Sequence, residues 1–152
     1  MANFEGTTAS EGGKIKKGKE AALRAYLSKF YLLSQGDDEE AGEEGIGAYI
    51  RGGWLHIYGY GDFSVPPLVD EKNADGEVVG QEPDYDNNDC TAFMEGLKPF
   101  LAKTAHGTGK HKQEYLLVVQ TVGHEKCRFP LCAGEWVLRP SGKVEFNGFK
   151  HY

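Results

Sequence analysis

GIGAYIRGGWLHIYGYGDFSVPPL, from Gly45 to Leu68, is the stretch whose reading decides the fold. Two short runs, Ala48-Tyr49-Ile50-Arg51 and Trp54-Leu55-His56-Ile57-Tyr58, flank Gly52-Gly53, and a Gly-Gly pair supplies the positive φ values of a two-residue hairpin turn. Folded about that turn, Arg51 faces Trp54, Ile50 faces Leu55, Tyr49 faces His56 and Ala48 faces Ile57. Side chains alternate along a strand, so Ala48, Ile50, Leu55 and Ile57 share one face. Tyr49, Arg51, Trp54, His56, Tyr58 and Tyr60 share the other. An aliphatic face predicts a packed core. The aromatic and cationic face predicts either packing beneath a helix or loop or a binding surface, because Tyr, Trp and Arg dominate binding hot spots.

Upstream, Asn3 to Ala9 reads as a first strand with Phe4 inward. A helix is predicted from about Gly18, with Leu23, Tyr26, Leu27, Phe30 and Leu33 at helical spacing and Gly36 placed to end it. Lys14, Lys16, Lys17 and Lys19 crowd the end where the helix dipole disfavours positive charge. Downstream, Pro66-Pro67 stops the hairpin, and residues 66–88 read as a long polar loop with a turn at Ala74-Asp75-Gly76-Glu77. A second helix is predicted from an Asn88 or Asp89 cap to about Lys103, presenting Phe93, Leu97, Phe100 and Leu101 and broken or kinked at Pro99. Tyr115 to Val122 reads as a central strand. Glu135–Arg139 and Lys143–Phe146 form a last hairpin about Pro140-Ser141-Gly142. The expected fold is one α+β domain over residues 1–152, an antiparallel sheet with two helices on one face.

At 152 residues the chain is long enough to bury a real core. Its net charge of −6 is unevenly spread: Asp37 to Glu95 holds 16 acidic and two basic residues, while the remainder holds 15 basic and seven acidic. Six acids fall within Asp37-Asp38-Glu39-Glu40-Ala41-Gly42-Glu43-Glu44. That run, in an acidic loop over 36–45, reads as a solvated connection or as a patch that docks on a basic partner. An acidic middle argues against direct contact with nucleic acid, whose phosphates need a positive surface. No apolar run approaches a membrane span and the N-terminal residues lack a signal-peptide core, so no membrane contact and a cytoplasmic location are expected. Three cysteines suit reduced thiols.

Candidate chemistry is thin. Asp84, Asp86, Asn88 and Glu95 place oxygens at four positions of a calcium loop, but Asp89 stands where that loop needs Gly. The same residues serve equally as a turn and helix cap. His124, Cys127 and Cys132 lack paired zinc-ligand spacing, and Cys127, Phe129 and Leu131 share the parity of an inward strand face. His106 to Lys112 lacks the spacing of a phosphate loop. No Ser or Cys stands beside a positioned base, and no cofactor is implied. The expectation is a non-enzymatic acidic interaction module, such as an inhibitor or immunity protein, that binds a basic surface of the kind found on nucleic-acid-binding enzymes. The alternative is an enzyme or sensor that takes a small molecule on the aromatic face, with Arg51 or His56 as its polar contact.

Overall fold

The computed structural model describes residues 6–32, 35–36, 45–61, 63–106, 113–123 and 134–148. In chain order these form β1 (Gly6–Gly12), α1 (Glu20–Leu27), β2 (Gln35–Gly36), β3 (Gly45–Arg51), β4 (Trp54–Tyr60), β5 (Leu68–Lys72), β6 (Val78–Pro83), α2 (Cys90–Glu95), β7 (Thr104–His106), β8 (Gln113–Tyr115), β9 (Leu117–Gly123), β10 (Gly134–Leu138) and β11 (Val144–Gly148). Single 3-10 turns occupy Tyr85–Asn87 and Lys98–Phe100. Seven strands make one sheet in the order β11-β10-β9-β1-β4-β3-β2, antiparallel except for the short β2–β3 contact. The α+β architecture anticipated from the sequence is the one observed.

Gly52 and Gly53 take φ of +59° and +83°, and across them Arg51 pairs with Trp54, Ile50 with Leu55, Tyr49 with His56 and Ala48 with Ile57. The anticipated register therefore holds at every pair. Ala48, Ile50, Leu55 and Ile57 are all buried, joined by Leu117, Val119 and Leu138 from the other half of the sheet. Over this layer lie α1 and α2, contributing Leu23, Leu27, Phe93 and Met94, with Leu97 added just past α2. Tyr26 stacks on Phe93 at 5.9 Å, and Phe30 meets the same ring edge-on at 4.8 Å. The Tyr26 hydroxyl donates to the Phe93 carbonyl at 2.8 Å, and burial pushes its pKa up to about 12.

Both helices are shorter than their apolar spacing predicts. α1 stops at Leu27, and Phe30 leaves the helix to bridge Pro67, while Gly36 pairs with Tyr49 in β2 rather than capping a helix. The apolar spacing continues past the helix because Phe30 reaches the same core from extended backbone. α2 starts on the Asp89 cap, whose carboxylate accepts from Ala92 N–H, and the chain past it tightens into a 3-10 turn at Pro99. The expected break at proline is thus present. The strand predicted from Tyr115 to Val122 is β9 preceded by a break at Leu116, which lets Tyr115 and Val118 pack on the opposite face from Leu117. Phe4, Leu33 and the segment from His124 to Cys132 lie outside the described residues.

One polar relay crosses the core. Thr8 donates to the Gly61 carbonyl at 2.8 Å, so its oxygen accepts from Thr121, 2.8 Å away, and Thr121 in turn accepts from Phe63 N–H. Every group in this buried chain is satisfied, as buried polar groups must be to avoid a desolvation penalty. It ties the segment after β4 to β1 and β9.

Residues 66–88 are not a plain loop. β5 and β6 pair as a ribbon from Leu68↔Pro83 to Lys72↔Val78, with a bulge between Glu71 and Lys72. Its turn is built by Asn73, whose side chain accepts from the N–H groups of Asp75 and Glu77, and by Gly76 at φ +80°. Its foot is bolted to the body: Leu68 N–H donates to the Lys29 carbonyl, Tyr31 N–H to Pro66 and Asp84 N–H to Pro67. The sequence suggested only a polar loop with a turn here, because acids interrupt the apolar alternation that marks a packed strand. No helix among the described residues is long and apolar enough to cross a membrane.

Candidate functional site

β3 and β4 carry their aromatic side chains on the face of the sheet opposite the helices. Tyr49 and His56, direct cross-strand partners, stack at 4.9 Å with planes only 14° apart. The Arg51 guanidinium stands 5.5 Å from the centre of the Tyr49 ring, within cation–π range. Tyr58 and Tyr60 meet edge-on at 6.0 Å. The sheet thus brings together Tyr49, Arg51, Trp54, His56, Tyr58 and Tyr60, as the alternation predicts.

Exposure on this face is graded. Tyr49 is buried and His56 and Tyr58 are partly covered, whereas Trp54 and Tyr60 remain 37% and 39% exposed at the two ends of β4. The same face continues across β1, β9 and β10 through Ala9 and Gln120, and the Gln120 amide donates to Glu135 at 2.7 Å. Beyond it Tyr115, Val118 and Val137 form a small second core. Burial pushes the Tyr115 phenol up, helped by the Glu11 carboxylate.

The ribbon is the second site feature, and the pattern of the sequence did not single it out. Val78 and Val79 are 58% and 59% exposed, set among Asp70, Glu71, Asp75, Glu77, Glu82 and Asp84 with Lys72 the only cation of the hairpin. The signal that could have found it is the Asn73-to-Gly76 turn flanked by stretches of five and six residues. Asp37, Asp38, Glu39, Glu40, Glu43 and Glu44 lie outside the described residues.

The carboxylates of the suggested cation loop are used locally. Asp84 accepts from the N–H of Asp86 and from the Asn87 amide, and Asn88 accepts from Val65 N–H while donating to Ser64. Glu95 is exposed at the end of α2. The structure therefore assigns Asp84 to turn capping and Asn88 to tying the chain before α2 onto Ser64 and Val65. Among the described residues no group of three His, Cys, Asp or Glu side chains stands where it could hold a metal ion. Cys90, at the start of α2, donates through Sγ to the Phe63 carbonyl.

No family model, curated protein or solved structure matches this chain. Function is therefore argued from the chemistry of these surfaces.

Proposed function

We propose that the protein is a non-enzymatic interaction module that docks on a basic protein surface, of the kind a nucleic-acid-binding enzyme presents, through its acidic ribbon. The observation that carries this reading is an ordered hairpin with no core of its own. A lone two-stranded hairpin is marginal in water, yet this one is fixed by hydrogen bonds at its foot and by Asn73 at its tip. Its valines offer short-range apolar contact, and its carboxylates speed encounter with a basic partner.

The test is quantitative affinity capture with wild-type bait and with a ribbon reversed in charge at Asp70, Glu71 and Glu82 (each →Lys). Basic proteins held by the wild type should be lost from the reversed bait and should elute with salt. An identical captured set from both baits would sink the reading.

The Tyr49–His56 stack under Arg51 favours a second reading, a small planar or anionic ligand held on the aromatic face. A thermal-shift screen against metabolites addresses it, because a ligand at a hundred times its dissociation constant stabilises by about 2.7 kcal/mol. A screen without any shift would remove it.

A further inference from the structure

Lysines that lie far apart in the sequence meet at one end of the sheet. β1 stops at Gly12, and the following residues 13–19 fold over the turn between β3 and β4: Ile15 N–H donates to the Gly53 carbonyl, and Lys14 bridges Trp54. The same segment is stitched to the 3-10 turn after α2, with Ile15 bridging Leu101, Lys16 N–H donating to Phe100 and Ala102 N–H to Lys14. The Lys98 side chain in turn lies across Gly142, in the turn between β10 and β11, so close that a Cβ there would stand 2.8 Å from Lys98 Cδ. Four separate stretches thereby place Lys14, Lys16, Lys17, Lys19, Arg51, Lys98 and Lys143 on one end of the molecule, all of them exposed.

Among the described residues no carboxylate forms an ion pair with these lysines. The ion pairs among the described residues are Arg24 with Glu20, Lys103 with Glu114 and Arg139 with Glu145. None of the six lysines takes part in them. Like charges gathered in this way repel one another and weaken the fold slightly, a cost that a bound anion removes. The ribbon lies at the other end. α1 starts beside the lysines and leads to Phe30 at the ribbon foot, while α2 starts beside Phe63 and leads to Lys98. Among the described residues, these lysines and the ribbon carboxylates thus stand apart.

Trp54 selects among polyanions. Its exposed ring sits in the same turn as Arg51, directly across the strand pair, and beside Lys14. Cations that follow a phosphate backbone next to an open aromatic ring are the two parts of a single-stranded nucleic-acid site, since any unpaired base has a face to stack. A duplex keeps its bases stacked and offers this ring nothing. An anionic membrane calls for an apolar face to insert, and one Trp does not make one.

We propose that the lysine end, with Trp54 as its stacking platform, binds single-stranded nucleic acid. This surface is distinct from the ribbon.

The experiment is fluorescence anisotropy of the full chain with a labelled oligothymidylate of about 15 nucleotides. Binding should weaken roughly 50-fold between about 50 and 200 mM salt if four phosphates are neutralised, the single-strand slope being about −0.7 per contact. Combined Lys14→Glu, Lys16→Glu and Lys17→Glu should abolish it, and Lys98→Glu with Lys143→Glu should weaken it at least tenfold. Both variants are checked for unchanged thermal unfolding. Trp54 emission should be quenched on binding, and Trp54→Ala should lose that quenching together with several-fold affinity. A ribbon neutralised by Asp70→Asn, Glu71→Gln and Glu82→Gln should keep oligonucleotide affinity within a few-fold of wild type, which separates this surface from the ribbon. No binding at the lower salt, equal or tighter binding to a duplex, or binding only to phosphatidylserine vesicles would each overturn the proposal.

Discussion

Two hairpins stand side by side in the middle of the chain and meet opposite fates. β3–β4 turns on Gly52-Gly53 and buries Ile46, Ala48, Ile50, Leu55 and Ile57 beneath the helices. β5–β6 turns on Asn73 and Gly76, is equally well hydrogen-bonded, and exposes nearly all its side chains. Turn chemistry is favourable in both, so it does not explain the difference. What separates them is alternation: the inward positions of β3–β4 from Ile46 to Ile57 are aliphatic, whereas acids interrupt the valines of the ribbon. A turn makes a hairpin; the pattern of its strands decides whether that hairpin joins the core.

The largest test of the comparison is Leu55→Ala. Leu55 is wholly buried, and its truncation should cost about 2–5 kcal/mol in chemical denaturation through lost transfer energy and a residual cavity. A loss as small as that expected for a surface site would mean that β3–β4 is no more a core element than the ribbon.

Alkaline titration sharpens the picture of what covers the core. Tyr26 has its pKa raised in the folded state from the ordinary value of 10.0 to about 12. The unfolded chain loses this proton first, so the contribution is complete below pH 10 and is lost as pH rises from 10 through about 12. Tyr26→Phe should remove that part of the alkaline decline, as read by denaturation at pH 9 and 11, and should also forfeit the bond to the Phe93 carbonyl. An alkaline profile identical to wild type would contradict the burial of this phenol.

Glycine substitutions at the two turns should separate the hairpins directly. Gly53 and Gly76 both hold φ near +80°, where a Cβ costs about 1–2 kcal/mol. Gly53→Ala should lower global stability by about that much. Gly76→Ala should leave the global midpoint unchanged and speed amide exchange only in residues 68–83, since ribbon and body share few contacts away from the foot. A fall in global stability with Gly76→Ala would show that the ribbon is part of the cooperative unit.

The smallest expected effect is Trp54→Ala. With more than a third of the ring exposed, truncation should cost under about 1 kcal/mol, against about 3–5 for a packed aromatic. A cost equal to that of Leu55→Ala would close the aromatic face and remove Trp54 from any site.

The central hairpin was legible to the residue because a tight turn fixes register and a period of two fixes faces. The proline break after α2 and the closing hairpin were legible for similarly local reasons. The length of α1 was not, since Phe30 keeps helical spacing in the chain while packing from outside the helix. The ribbon was hidden by polarity, which in this chain marks exposure rather than lack of structure. The gathering of Lys14, Lys98 and Lys143 could not be read at all. It depends on which strand neighbours which, and β1 between β4 and β9 brings distant ends of the chain together.

The bulge between Glu71 and Lys72 has a consequence for life in concentrated solution. Among the described residues neither outer edge of the ribbon pairs with a further strand, so its backbone N–H and C=O groups stand ready to recruit a second copy. The bulge leaves Val79 as an extra residue on β6, Pro83 withholds a donor from the same strand, and the carboxylates repel a like-charged neighbour. These three features act as guards against strand-by-strand stacking into fibres. Substituting the ribbon carboxylates by neutral residues would leave that edge guarded by one bulge and one proline.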